Sequence, residues 1–321
     1  MGFALFLVKR IASIIITTCV IIALSYTLMF FAPGSFFNQQ QIAAQTGTLA
    51  NENPQEYKKM MQEWENRYGL DKPLYVQVEK YIVHSFTLNF GTSFENPTTQ
   101  IVDTLKTALP ISFFLAVGSV LLAALIGIPL GIIAALKRNS WIDYVMTTLS
   151  LGGQAIPAYV LANLLILFFG VVWNVLPING WGTPAQAILP LIALAIGNVG
   201  STAQYMRGSM IDTLSQDYIR TARSKGVPER VIIMKHAFRN SLVAIVTVLG
   251  PQVAFTVVGV VWVENIFSIP GLGTLLNSAF GASDYPLAIT FIFLLSMLVM
   301  ISNLLVDISY SLLDPRVKFD H

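Results

Sequence analysis

Residue types that make and break bonds are scarce in this chain. Its three histidines, His84, His236 and His321, stand far apart, and its one cysteine, Cys19, excludes an intrachain disulfide and any thiolate-built metal cluster. No HExxH, GxSxG or GxxxxGK[ST] pattern occurs, so zinc-dependent hydrolysis, acyl transfer from serine and P-loop ATP hydrolysis have no candidate machinery. No residue is therefore assigned a catalytic, metal-ligating or cofactor-binding role. The dense chemistry is electrostatic instead. Residues 218–240, YIRTARSKGVPERVIIMKHAFRN, gather Arg220, Arg223, Lys225, Arg230, Lys235 and Arg239 in a chain that is 55% hydrophobic and 11% charged. A cluster of this kind binds a partner or a surface by charge and shape.

The elements that must hold it read as two short helices and a corner. Asp217 suits the first helix N-terminus, with Tyr218, Ile219 and Ala222 on one side. Gly226 suits the left-handed end of that helix and Pro228 the first turn of the next. In the second helix Val227, Val231, Met234 and Phe238 recur at spacings of four, three and four, an apolar stripe backed by Arg230, Lys235 and Arg239. A basic amphipathic hairpin lying on anionic lipid is one reading, and a short helix presented to a groove on a cytosolic partner is the other. The tight corner favours the partner, because lying on lipid does not require one.

The rest of the chain is built for lipid. A soluble domain carries about 25% charged residues, more than twice the share found here. Six hydrophobic segments, about 9–31, 108–136, 145–172, 187–206, 242–263 and 287–313, are long enough to span as helices. With Lys9 and Arg10 inside, thirteen of the nineteen Lys/Arg fall on the inner side and the two short outer loops, 173–186 and 264–286, hold none, which places both termini in the cytoplasm. The segment 38–107 is then an extracytoplasmic insertion between the first two spans, with a helix starting near Asn53-Pro54, carrying Tyr57, Met61, Trp64 and Tyr68 on one side and stopping at Gly69. Pro73 opens a second amphipathic stretch. The spans are nearly empty of charge, so a proton-coupled carrier lacks its midplane groups. Glu264 and Asp307, near span ends, read as anchors or caps. The fold class expected is an all-α polytopic membrane protein of six transmembrane helices forming one domain, 1–321, with the basic loop at 207–241.

At the basic loop the residues resemble a known pattern. Arg220-Thr-Ala, three residues, Gly226, nine residues, then His236-Ala-Phe-Arg239 keeps the spacing of the EAA loop of ABC importer permeases, with Arg220 in place of Glu, Thr221 of Ala, His236 of Ile and Phe238-Arg239 of Leu-Pro. Those departures are themselves similar to the peptide branch of that family. The resemblance extends along the chain through Pro33-Gly34, Tyr68-Gly-Leu-Asp-Lys-Pro-Leu74, Asn89-Phe-Gly-Thr-Ser-Phe94, Gly127-Ile-Pro-Leu-Gly131, Glu264-Asn-Ile-Phe-Ser-Ile-Pro-Gly-Leu-Gly273, Asp284-Tyr-Pro286 and Asp307-Ile-Ser-Tyr-Ser-Leu-Leu-Asp-Pro-Arg316.

This resemblance implies a type I ABC importer permease fold and a B-type permease subunit of an oligopeptide or dipeptide importer in a bacterial cytoplasmic membrane. It implies a heterodimer with a homologous second permease, two cytosolic ATP-binding subunits that hold the ATP and Mg, an extracytoplasmic substrate-binding protein, peptide as substrate, and no part for nucleic acid. The coupling segment falls on Tyr218, Ile219, Arg220, Thr221, Ala222, Arg223, Lys225, Gly226 and Val227, with apolar seating of Ile219 and Ala222 on the ATPase expected to outweigh the exposed charges. Nickel and other small-solute importers use similar permeases, and a passive channel, a secondary carrier or a membrane-anchored scaffold remain the contrasting classes. No substrate-contacting residue is legible.

Overall fold

The computed structural model describes residues 3–32, 54–69, 71–96 and 98–313. Asn53, Pro33-Gly34 and the tail carrying Arg316 and Lys318 lie outside the described residues. Every long element is a helix, as lipid requires of a chain that must satisfy its own backbone hydrogen bonds. In order these are α1 Phe3–Phe31, α2 Pro54–Tyr68, α3 Leu74–Phe86, α4 Ile101–Leu136, α5 Trp141–Ala155 and α6 Ala158–Leu165, the last continuing as a π-helical turn, Ile166–Val172. Then come α7 Pro184–Leu214, α8 Asp217–Ser224, a single turn Glu229–Val231, a π-helical stretch Ile232–Ala237, α9 Phe238–Phe267, α10 Leu272–Gly281 and α11 Tyr285–Leu313.

Among the described residues five helices are long and apolar enough to cross a membrane, and a sixth span exists if α5 and α6 count as one, although they meet at a bend of 99°. The uninterrupted helix expected over 145–172 is therefore corrected to two helices meeting at that bend. Pro157 supplies the reason: it has no N–H for the ladder and pushes Ile156 out of the helical region, to φ −90° and ψ 119°. The outer loop expected at 264–286 contains α10, and α7 runs eight residues past the expected end at 206, which brings Arg207 inside a helix.

Contacts divide the chain into two compact units, a division that the spacing of hydrophobic segments does not reveal. The first comprises the chain up to Leu109 and Thr274–Leu298. Here the described part of the segment expected as an insertion, within 54–96, is held by aromatic packing and buried hydroxyls: Trp64 and Tyr68 are buried against Phe94, and Tyr68 Oη donates to the Phe90 carbonyl at 3.1 Å. Tyr81 Oη donates to the Pro286 carbonyl at 2.7 Å, and Asp284 accepts from Ser93 Oγ, so α3 and the following loop are tied to the start of α11. Burial pushes the Tyr68 and Tyr81 hydroxyls well above the usual tyrosine range, which keeps them neutral donors.

The second unit, Pro110–Gly273 with Val299 onward, is organised around α7, which packs on α5, α6 and α9. Gly131 of α4 lies so close to α7 that a Cβ there would stand 2.5 Å from the Ala203 carbonyl oxygen and 2.6 Å from Met206 Cβ. Small residues of this kind let membrane helices meet backbone to backbone, where van der Waals contact replaces the missing hydrophobic drive.

Candidate coupling site

α8 stands outside the spans and is held to them by few, specific contacts. It follows Leu214 after a two-residue break, with Asp217 in its first turn opposite the helix dipole. Its end is set by Gly226, whose φ of +74° is the left-handed conformation that L side chains avoid. The Gly226 N–H donates to the Arg223 carbonyl at 2.9 Å and the Val227 N–H to the Ala222 carbonyl at 3.2 Å, the two bonds that close a Schellman-type C-terminus. Among the described residues a Cβ on Gly226 would meet nothing within 4 Å, so the requirement for glycine is one of backbone angle.

Across this corner Arg223 grips Glu229 with both prongs, Nη2 to Oε1 at 2.6 Å and Nε to Oε2 at 3.1 Å. The guanidinium holds the Glu229 carboxyl below its ordinary range, and the carboxylate holds Arg223 above its own. A third tie runs from Asn240 Nδ2, which donates to Tyr218 Oη at 2.7 Å. The fourth is apolar: Ile219 is fully buried, and α8 packs on the π-helical stretch, where Ile232 and Ala237 are buried too. Ala237 belongs to a core cluster with Ala135 of α4, Met206 and Met210 of α7 and Ile245 of α9. The corner thus reaches three spans through a short chain of packed side chains.

Two expectations are corrected here. Ile219 is buried within its own chain, so it anchors α8 and is not available to seat on a partner. The second helix of the hairpin is not separate, because Glu229–Val231 and Ile232–Ala237 run on into α9. Its apolar stripe also differs from Val227, Val231, Met234 and Phe238: Val231 and Met234 are exposed, whereas Ile232 and Ala237 are buried. A π-turn spaces its hydrogen bonds one residue further than an α-turn and so rotates the faces that follow, which a period of 3.6 cannot anticipate. Arg220, Thr221, Arg223, Lys225 and Gly226 are exposed, while Ala222 and Val227 are half-buried.

Sequence reasoning did not single out the ion pair beneath this region. Arg207 of α7 meets Asp143 of α5 through Nε to Oδ1 at 2.5 Å and Nη2 to Oδ2 at 2.7 Å, with the aspartate side chain only 4% exposed. The Asn139 N–H also donates to Asp143 Oδ2 at 3.0 Å, and Ser140 Oγ caps the helix at the Asp143 N–H. The one available signal was a lone acid just after a serine cap, and its partner stands 64 positions away. Glu264 is likewise buried near the far end of α9, where it accepts from Ser112 Oγ at 2.5 Å and from the Gly273 N–H at 2.6 Å and so fixes the turn into α10.

Residues 127–319, which include the Gly226 corner, match the family described as binding-protein-dependent transport system inner membrane component. The chain belongs to that family. Among its relatives, the dipeptide transport system permease protein DppB of Bacillus subtilis is 38% identical over 98% of both chains. The oligopeptide transport system permease protein OppB of Haemophilus influenzae is 34% identical over 98% of this chain and 99% of its own. Among solved structures, an inward-facing form of the MetNI methionine ABC transporter aligns over 66% of this chain and 97% of its own, with a TM-score of 0.57 at 16% identity. This family member has the type I ABC importer permease fold, in a chain that crosses the membrane several times.

Proposed function

We propose that this chain is the permease subunit of an ATP-driven peptide importer, forming half of the translocation path beside a homologous second permease. The observation that carries the reading is α8, an exposed basic helix closed by Gly226 and tied by Ile219, Arg223 and Asn240 to the ends of the spans. Its exposed face, Arg220, Thr221 and Lys225 with the neighbouring edge of Ala222, is the surface offered to a cytosolic ATPase. ATP and Mg belong to two such subunits, and this chain contributes no nucleotide site. Likeness to dipeptide and oligopeptide permeases over nearly the whole chain supports peptide as the substrate class. An extracytoplasmic binding protein delivers it to the outer face, and the concentration of Lys/Arg in the loops read as inner supports an orientation with both termini in the cytoplasm. In this scheme closure of the ATPase pair displaces α8, and the helices packed on it move between two discrete arrangements.

The test is uptake of a labelled peptide into proteoliposomes holding this chain, its partner permease, both ATPases and the binding protein. Uptake that requires ATP and stops when the ATPases are left out supports the proposal. Uptake that proceeds equally without them contradicts it and points to a passive path.

A further inference from the structure

α7 has two chemically opposed faces. Thr202, Ala203, Met206 and Met210 are buried, the two methionines within the core cluster that reaches the coupling corner. The other face reads Ser201, Gln204, Tyr205, Ser209 and Asp212, recurring every three or four residues and continued past the helix end by Gln216. A face turned to hydrocarbon must be apolar, and exposed positions elsewhere on the spans are, as with Leu125 of α4 and Phe255 of α9 at 73% and 77% exposed. The polar face of α7 does not fit lipid. It lines a cavity of about 760 Å³ together with Gln154 of α5 and Ala244 of α9. Gln204 stands between this cavity and a small void beside Thr147 and Arg207, and its buried Nε2 has no hydrogen-bond partner among the described residues.

We propose that this face is the wall along which substrate passes, and that it takes an extended peptide backbone. Side-chain amides and hydroxyls both donate and accept, as peptide groups do, so they can exchange partners as a chain slides past whatever its side chains are. Among the described residues lining the cavity, Asp212 carries the formal charge. It receives a cationic group, above all the α-ammonium of a peptide, and disfavours anionic solutes. This inference rests on the peptide-importer reading.

The assembled importer with Cys19→Ser in this chain is the parent for the test. If the parent lacks ATP-dependent peptide uptake, the importer reading fails and this inference fails with it. In an active parent, Tyr205→Cys and Ser209→Cys react with a charged, hydrophilic maleimide faster than Phe255→Cys, and transported peptide slows them. Equal, slow labelling at all three positions, or labelling of the α7 pair unaffected by peptide, overturns the inference and makes the face a contact with the second permease. Asp212→Asn raises KM for a peptide with a free N-terminus about tenfold relative to the same peptide N-acetylated, the loss expected of one charge-assisted hydrogen bond. An unchanged ratio contradicts the role given to Asp212.

Discussion

Gly226 holds its backbone at φ +74° with nothing near where a Cβ would stand, so the cost of any side chain there is conformational. That cost is about 1–2 kcal/mol for a left-handed L residue. Gly226→Val therefore loosens the corner without disturbing the spans, and ATP-driven uptake falls while thermal stability in detergent changes little. Asp143 makes the opposite prediction. Its carboxylate is buried under Arg207, and removing one partner of such a pair leaves a charge without compensation. Asp143→Ala should destabilise the unit by roughly 3 kcal/mol, the low end for buried pairs because Arg207 is 29% exposed. A clear drop in melting temperature checks this, and Arg207→Lys should not be neutral, since an ammonium cannot reproduce the two-pronged contact.

Among the elements, α8 is short and depends on tertiary contacts rather than its own helical propensity. Ile219 is its buried anchor, and Ile219→Ala should cost about 2–5 kcal/mol of local stability. Hydrogen exchange of the 217–224 amides should speed up, and ATPase activity should uncouple from uptake although Ile219 is buried within its own chain. The Arg223–Glu229 pair across the corner is exposed and worth at most about 1 kcal/mol. Because the folded Glu229 pKa lies below its unfolded value, this contribution is present above the ordinary glutamate range and is lost as pH falls through the lowered folded value. A weakening of the corner's exchange protection in acid, absent in Glu229→Gln, would show it.

The same elements explain what could be read in advance. The first helix of the corner was legible because Gly226 and Pro228 are local punctuation whose meaning does not depend on the rest of the fold. The face of the following segment was not, because in the π-helical stretch Ile232–Ala237 the turn is a residue longer, so that Ile232 and Ala237, five apart, share the buried side while Met234 is exposed. Pro157 was visible, yet hydropathy averages over a break and so reads α5 and α6 as one span. The Asp143–Arg207 pair joins residues on separate helices, and no local pattern encodes such a distance.

Across the whole chain, the importer reading joins an exposed basic helix, a core cluster linking it to α4, α7 and α9, and a polar face on α7 that continues toward the same end. In that reading, force applied at α8 would be delivered to the helix that carries the polar face, because packed interiors shift between discrete arrangements rather than yield. The claim on which the rest depends is that α8 is where the ATPase docks. Lys225→Cys in the Cys19→Ser parent, within the assembled complex, tests it by thiol cross-linking to the ATP-hydrolysing subunit, with Trp173→Cys, in the loop expected on the outer side, as the control. Cross-linking at 225 and not at 173, altered by ATP, is the predicted result. ATP-driven uptake with no cross-link at 225, or with equal cross-linking at both positions, would contradict the account.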